Sequence, residues 1–268
     1  MKRSEVFAPA KINLTLHVTG QRAEGYHLLD SLVAFADIGD RVRMTAGPML
    51  SIEVSGPFAR GVPTDQSNLV WKAAELAGWT GWIELEKNLP HGAGIGGGSA
   101  DAAAVLRAVD YDGDATALGA DVPVCRLARA ARMTGIGDAV RTLPGLPPLY
   151  AVLANPGVHV STPHVFGALT AKNNAPMPVL PDRPSAMELI RWLGAQRNDL
   201  EQPAVQAQPV IGDALNALSE RARDGFVRMS GSGATCFALC ATRDEAASIA
   251  EDLTRAHPDW WVRDCALS

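Results

Sequence analysis

Cysteine is scarce in this 268-residue chain, which has only Cys125, Cys236, Cys240 and Cys265. Four thiols so sparse and without zinc-ribbon spacing exclude a disulfide scaffold, and they read as reduced and mostly buried. Long apolar runs are also missing. None approaches the length of a membrane span, and Met1-Lys2-Arg3-Ser4-Glu5 runs into Val6 without a signal-peptide core. Positive charge is not in excess either: a net charge of -5 and a pI near 5.7 speak against nonspecific nucleic-acid binding. No long internal repeat is evident. With 47% hydrophobic and 20% charged residues the composition is that of an ordinary globular protein, long enough for one large or two medium domains. The expectation is a cytoplasmic enzyme, with neither nucleic acid nor membrane as partner.

What is abundant is glycine, concentrated in one place. Leu89-Pro90-His91-Gly92-Ala93-Gly94-Ile95-Gly96-Gly97-Gly98-Ser99-Ala100 packs five glycines into seven residues. Glycine costs backbone entropy and offers nothing to pack, so such density implies positive φ or close approach of the backbone to a ligand. Residues 81–86 upstream alternate like a half-buried strand, and residues 100–109 downstream are alanine-rich with helical spacing. Strand, glycine loop and helix together turn unpaired N–H groups and the positive end of a helix dipole toward one point, an arrangement suited to phosphate. A Walker A loop is excluded because Gly98 stands where lysine is required. A dinucleotide fingerprint at Gly92, Gly94 and Gly97 would need an acidic residue ending a second strand. Asp114 has the distance but lies in the turn-like stretch Asp110-Tyr111-Asp112-Gly113-Asp114. A non-Walker nucleotide loop, or a tight structural loop, remains.

Elsewhere, alternation from Ile12 to Val18 predicts a strand with Ile12, Leu14, Leu16 and Val18 on one face and Lys11, Asn13, Thr15 and His17 on the other. Tyr26 and His27 place an aromatic plane beside an imidazole after a polar turn. Strands are expected at 36–44 and 50–54, and a helix at 69–77 with Asn68 placed to cap it. Asp121, two residues before Pro123, has the position of a helix N-cap, and 133–138 reads as a small glycine turn. The proline-rich 143–148 marks the expected boundary between a domain at 1–147 and one at 148–268. Beyond it lie a strand at 149–154, a helix opening at Ser161-Thr162-Pro163, and a polar, mobile loop at 171–184. Helices near 186–193 and 210–222 are followed by strand, Ser230–Gly233 turn, strand, helix 243–256 and strand 260–267, compatible with a βαββαβ sandwich.

The loop P-x-x-x-G-x-G-G-G-S-A resembles the second motif of the GHMP kinases, the family of galactokinase, homoserine kinase and mevalonate kinase. Pro9-Ala10-Lys11-Ile12-Asn13-Leu14, Gly25-Tyr26-His27, Gly119-Ala120-Asp121-Val122-Pro123, Thr162-Pro163 with Phe166, and Ser230-Gly231-Ser232-Gly233-Ala234 occur in one order around it. Together they resemble the branch that acts on a diphosphocytidyl methylerythritol in the non-mevalonate isoprenoid pathway. The resemblance implies an α+β, two-domain GHMP kinase fold, with a ribosomal-protein S5-like N-terminal domain and a ferredoxin-like C-terminal domain. It implies ATP as co-substrate with Mg2+, and phosphorylation of the 2-hydroxyl of the methylerythritol moiety. Asp121 then matches the catalytic acid–base residue and Lys11 its partner. Asn13, Tyr26, His27, Ile136, Thr162 and Phe166 match positions around the cytidyl substrate, with Tyr26 and Phe166 sandwiching the base. Asn68 and the run Pro90, His91, Gly92, Ala93, Gly94, Ile95, Gly96, Gly97, Gly98, Ser99 and Ala100 match the ATP site, with Ser99 a candidate Mg2+ ligand. A monomer or weak homodimer is expected. Asp101 departs from the family, standing where related enzymes can carry Asn. Homoserine, mevalonate or a sugar is the alternative acceptor, against which the ring-bearing Tyr26, His27 and Phe166 argue, since small aliphatic acceptors need no stacking pair.

Overall fold

The computed structural model describes residues 3–222 and 225–268; Met1 and Lys2, at which the sequence reading found no signal-peptide core, lie outside the described residues. In chain order the first elements are strands β1 (Arg3–Asn13), β2 (His17–Gln21), β3 (His27–Ala46) and β4 (Ser51–Ser55), helix α1 (Leu69–Leu76), strand β5 (Gly81–Glu86), and helices α2 (Gly97–Ala108) and α3 (Val122–Leu127). Then come β6 (Ala131–Gly135), β7 (Ala139–Thr142), β8 (Leu149–Asn155), α4 (Thr162–Gly167), α5 (Ala186–Gly194), α6 (Glu201–Ala207), α7 (Val210–Arg221), β9 (Phe226–Met229), β10 (Cys236–Cys240), α8 (Arg243–Ala256) and β11 (Trp261–Leu267). Among the described residues no helix is long and apolar enough to cross a membrane.

The chain packs as two units that share the sequence alternately. The first comprises Met1–Lys11, Ile38–His91 and Gly96–Ala128; the second comprises Ile12–Asp37, Gly92–Ile95 and Arg129–Ser268. In the first unit β5 pairs antiparallel with β3 and parallel with β4. Its alternation buries Ile83 and Leu85, which stand opposite Met44 and Val42 of β3. Helix α2 lies between α1 and α3 and is buried from Ala100 through Leu106, so it is a central helix covered on all sides. Its run of alanines lets both neighbours approach closely. Strand β1 also pairs with β3, and at Gly39 the two run so close that a side chain there would strike the Ala8 carbonyl.

The second unit holds a four-stranded antiparallel sheet in the order β11-β8-β10-β9. With helices between β8 and β9 and α8 between β10 and β11, this is the βαββαβ, ferredoxin-like topology the sequence predicts. Helices α7 and α8 pack on it through Ile211, Leu218, Ile249 and Leu253, against Val152, Ala154 and Ala238 of the sheet. The N-terminal half of β3 pairs with β2, with β6 and, through Ala36, with Leu267 of β11.

Some elements differ from the expectation. The alternating run at 12–18 is not one strand: β1 ends at Asn13, and both Leu14 and Thr15 direct their N–H groups to the Leu32 carbonyl. Nor is its polar face solvated, since Asn13, Thr15 and His17 are all buried. Alternation shows which residues share a face, but here both faces are covered. The mixed segment after Tyr26 is the first half of the 20-residue β3. The glycine turn at 133–138 joins a hairpin, β6 to β7. Residues 171–184 carry no helix or strand, yet Met177 pins them: its N–H donates to Asp30 Oδ2 at 2.9 Å and its side chain is buried.

Gly39→Ala forces β1 and β3 apart in the first unit. It is expected to lower stability by about 1–3 kcal/mol in urea denaturation; an unchanged midpoint would show that this approach is not constrained.

Candidate active site

In the first unit two residues far apart in sequence meet. Lys11 lies on β1 with its side chain 5% exposed, and its Nζ stands 2.6 Å from Oδ2 of Asp121. An ammonium taken out of water needs an opposite charge, and Asp121 supplies it. Asp121 does occupy the N-cap position of α3, as Pro123 predicts, but its side chain caps no N–H group. The carboxylate is given over to Lys11 and, at 36% side-chain exposure, to whatever approaches from solvent. Arg107 of α2 holds the supporting elements together, donating to the Phe7 carbonyl of β1 and the Cys125 carbonyl of α3, each at 2.6 Å. The Cys125 thiol nearby is fully buried, and burial pushes it up to about 12, so it stays protonated and inert.

Next to this pair, α2 begins without a cap. It starts at Gly97, earlier than the predicted Ala100, because Gly96 turns left-handed at φ +67° and its carbonyl accepts from the Ala100 N–H at 2.8 Å. No side chain caps the helix and its first turn carries no acidic residue. The N–H groups at the start of a 12-residue helix are thus left for an anion. Gly96 is required twice over, since a Cβ there would lie 3.2 Å from Cβ of Lys11. Ser99, half-buried, sits in that first turn. Asn68 caps α1, accepting from Val70 N at 2.8 Å and donating to the Pro63 carbonyl at 2.6 Å. Of the loop's leading residues, Pro90 is half-buried, and His91 is exposed with its ring edge-on to Phe58.

Beneath the start of α2 lies a buried cluster that sequence reasoning missed. Lys87, just after β5, pairs with Asp40 of β3 and with Asp101 of α2, the latter at 2.6 Å. Burial raises Asp101 to about 7 although the charge of Lys87 pulls the other way. Burial opposes the charge on Lys87 too, but the two carboxylates outweigh it and raise its pKa. Asp101 is 2% exposed.

In the second unit the middle of the glycine loop is fastened to the Ser230–Gly233 turn. Ser230 Oγ donates to the Gly94 carbonyl at 2.9 Å, and Thr235 N donates to the Ala93 carbonyl at 3.1 Å. A side chain at Gly94 would collide with the carbonyls of Ser230 and Gly233, and one at Gly92 with the His159 ring; Ile95 is buried. The same turn holds two expected substrate residues. Asn13 donates its N–H to Ser230 Oγ at 3.0 Å, and Thr162 Oγ1 shares a 2.7 Å hydrogen bond with Ser232 Oγ. Asn13 Nδ2 donates to Ser31 Oγ at 2.8 Å, while its buried Oδ1 has no partner among the described residues. His27 stacks on Phe166 with ring centroids 4.8 Å apart and planes at 24°. Its Nε2 is likewise buried and unpartnered, and its pKa is lowered by burial and by the charge of Lys172, leaving it neutral near pH 7. Tyr26, expected to face Phe166 across the base, is 62% exposed; the ring lying on Phe166 is His27. Ile136 sits half-buried in the β6–β7 turn, its N–H donating to Asp138 Oδ1 at 3.0 Å.

Comparison with known proteins agrees with this geometry. The family models for the GHMP kinases N terminal domain and the GHMP kinases C terminal match residues 68–143 and 178–259. A 4-diphosphocytidyl-2-C-methyl-D-erythritol kinase from Dinoroseobacter shibae is 55% identical, over 97% of this chain and 94% of that protein. The protein of the same name from Paracoccus denitrificans is 53% identical, over 97% and 96%. The chain belongs to the 4-diphosphocytidyl-2-C-methyl-D-erythritol kinase family of GHMP kinases. A crystal structure of 4-(cytidine 5'-diphospho)-2C-methyl-D-erythritol kinase matches it at 34% identity and a TM-score of 0.78, covering 99% of both chains. As a GHMP kinase the chain uses ATP as co-substrate.

The cluster of Asp40, Lys87 and Asp101 left only one sequence signal, charged residues inside a strand end and an alanine-rich helix where apolar ones are expected. Gly96→Ala in this GHMP kinase places a side chain at φ +67° against Lys11. The strain, about 1–3 kcal/mol, is expected to lower the melting temperature and weaken ATP binding together. A variant with wild-type ATP affinity would show that the left-handed start of α2 is not needed.

Proposed function

We propose that this chain transfers the γ-phosphoryl group of ATP to the 2-hydroxyl of 4-diphosphocytidyl-2-C-methyl-D-erythritol, giving the 2-phosphate and ADP. The observation that carries this reading is the Lys11–Asp121 ion pair, with Lys11 directly against Gly96 where the uncapped N-terminus of α2 begins. An alcohol is a weak nucleophile until its proton has somewhere to go, and the exposed side of the Asp121 carboxylate receives it as the O–P bond forms. Lys11 orients that carboxylate and offsets negative charge on the group in transfer. The N–H groups of 96–99, with the helix dipole behind them, hold the phosphates of ATP. Asn68, Pro90 and His91, and Gly92 to Ile95 are assigned to the same nucleotide.

Mg2+ is assigned to Ser99. Among the described residues no cluster of three or more His, Cys, Asp or Glu side chains is arranged to hold a metal. A half-buried hydroxyl beside a phosphate-binding helix start fits an ion held mainly by phosphate oxygens and water. When bound, Mg2+ supplies neutralisation of phosphate charge. For the acceptor, the His27–Phe166 stack and the unpartnered His27 Nε2 support recognition of a flat heterocycle with hydrogen-bonding edges, and Asn13 Oδ1 supports recognition of a hydroxyl donor. Tyr26, Ile136 and Thr162 complete the proposed substrate set. The division at 1–147 and 148–268 is proposed as the family's domain boundary. Four free, buried cysteines support a reducing, cytoplasmic setting, and a monomer or weak homodimer is the proposed assembly.

A panel of acceptors with labelled ATP tests the reading. Turnover of the cytidyl acceptor and not of homoserine or mevalonate is expected, and the reverse would overturn it. Asp121→Asn is expected to lower kcat by roughly 10^2- to 10^4-fold with ATP binding retained. Undiminished turnover would remove Asp121 from its role. Phe166→Ala loses a stacking surface worth about 1–3 kcal/mol per base, so KM for the cytidyl acceptor is expected to rise while KM for ATP does not. An unchanged acceptor KM would rule out stacking.

A further inference from the structure

We propose that Asp101 is a positioning residue for ATP: with Lys87 and Asp40 it fastens the chain entering the glycine loop to the helix leaving it, so that the N-terminus of α2 is held in its phosphate-binding place. The inference rests on the ATP reading of that helix start and adds residues that touch no phosphate themselves.

The connections are all within the first unit. Asp40 uses one carboxylate oxygen, Oδ1, to accept from the N–H groups of Asn88 and Leu89, which immediately precede Pro90. Its other oxygen accepts from Lys87 Nζ, and the same ammonium donates to Asp101 Oδ2 at 2.6 Å. Residues 87–89 on one side of the loop and Asp101 on the other are therefore tied through one lysine. The tie runs directly under the site, because a Cβ on Gly97 would stand 3.6 Å from Lys87 Nζ. All three side chains are 5% exposed or less, so each hydrogen bond is made away from competing water. Glycines at 96, 97 and 98 cannot stiffen this turn by themselves, since they add backbone freedom. Lys87 and its two carboxylates take that place. Asp101 Oδ1 is buried without a hydrogen-bond partner among the described residues, so the side chain ties to the chain before the loop through Oδ2 and Lys87.

The test compares Asp101→Ala and Asp101→Asn. Alanine removes the acceptor but leaves Lys87 paired with Asp40; asparagine restores an oxygen of the same reach. Asp101→Ala is expected to weaken ADP binding, measured by calorimetry, by about tenfold or more. KM for ATP should rise in step, with kcat and acceptor KM close to wild type. Asp101→Asn is expected to recover most of the loss. Unchanged ADP affinity in the alanine variant, or an asparagine variant as impaired as alanine, overturns the proposal. Amide hydrogen exchange gives a second readout, in Asp101→Ala or, should that not fold, in Asp101→Ser. Faster exchange on both flanks of the loop, at 88–89 and 97–101, is expected, and acceleration confined to α2 overturns the tie. Because ADP affinity is read without any acceptor, a chain that failed to phosphorylate the cytidyl compound would sink the proposed function and leave this test standing.

Discussion

A buried ammonium paired with one carboxylate among the described residues is the constraint around which the first unit is organised. Lys11 is almost wholly out of water, and its charge is tolerable only while Asp121 stays within reach. Keeping it there means fixing three elements at once: β1, which carries the lysine; α3, which begins at the aspartate; and α2, which lies alongside α3. Arg107 joins all three by hydrogen bonds to carbonyls, and Gly96 lets the backbone of α2 begin against Lys11 without a clash. The cost of burying a charge is thus met by geometry that also leaves the helix start uncapped.

The second unit solves a different problem, holding polar atoms rigid without satisfying them. Ser230 accepts from Asn13 and donates to Gly94, and Ser232 is shared with Thr162, so one short turn fixes both a loop carbonyl and the side chains expected to meet substrate. Asn13 Oδ1 and His27 Nε2 remain buried and unpaired among the described residues. Leaving a buried polar atom unmatched costs about 1–3 kcal/mol, and one such atom in the His27–Phe166 stack and another beside the Ser230–Gly233 turn leave room for a ligand that supplies the missing partners.

Much of this was legible in the residues. The β5–loop–α2 unit, the capped α1, the βαββαβ order and α8 all follow from local periodicity and turn chemistry, because each buries a face set by its own sequence. Asp121 was legible as a helix start from Pro123, yet position alone does not distinguish a carboxylate that caps from one that pairs with Lys11, 110 residues earlier by the numbering. The bend after Asn13 was hidden because alternation continued through it while both faces became covered. Helix α6, with Pro203 near its start, carries too short a pattern to be read. Sequence reasoning assigned Asp101 no role, and in the structure it is buried against Lys87, since which side of α2 faces inward is decided by α1 and α3 packing on it and not by α2 alone.

The alternating use of the chain has a consequence for how it is made. Phe35 exchanges two backbone hydrogen bonds with Ser268, and Ala36 pairs with Leu267, so a strand laid down early in synthesis waits for residues made more than two hundred codons later to cover its edge. While the ribosome is still adding α8, that edge exposes unpaired amides that another nascent chain can engage. Loss of 267–268 thus uncovers backbone groups at Phe35 and Ala36, translated more than two hundred codons before.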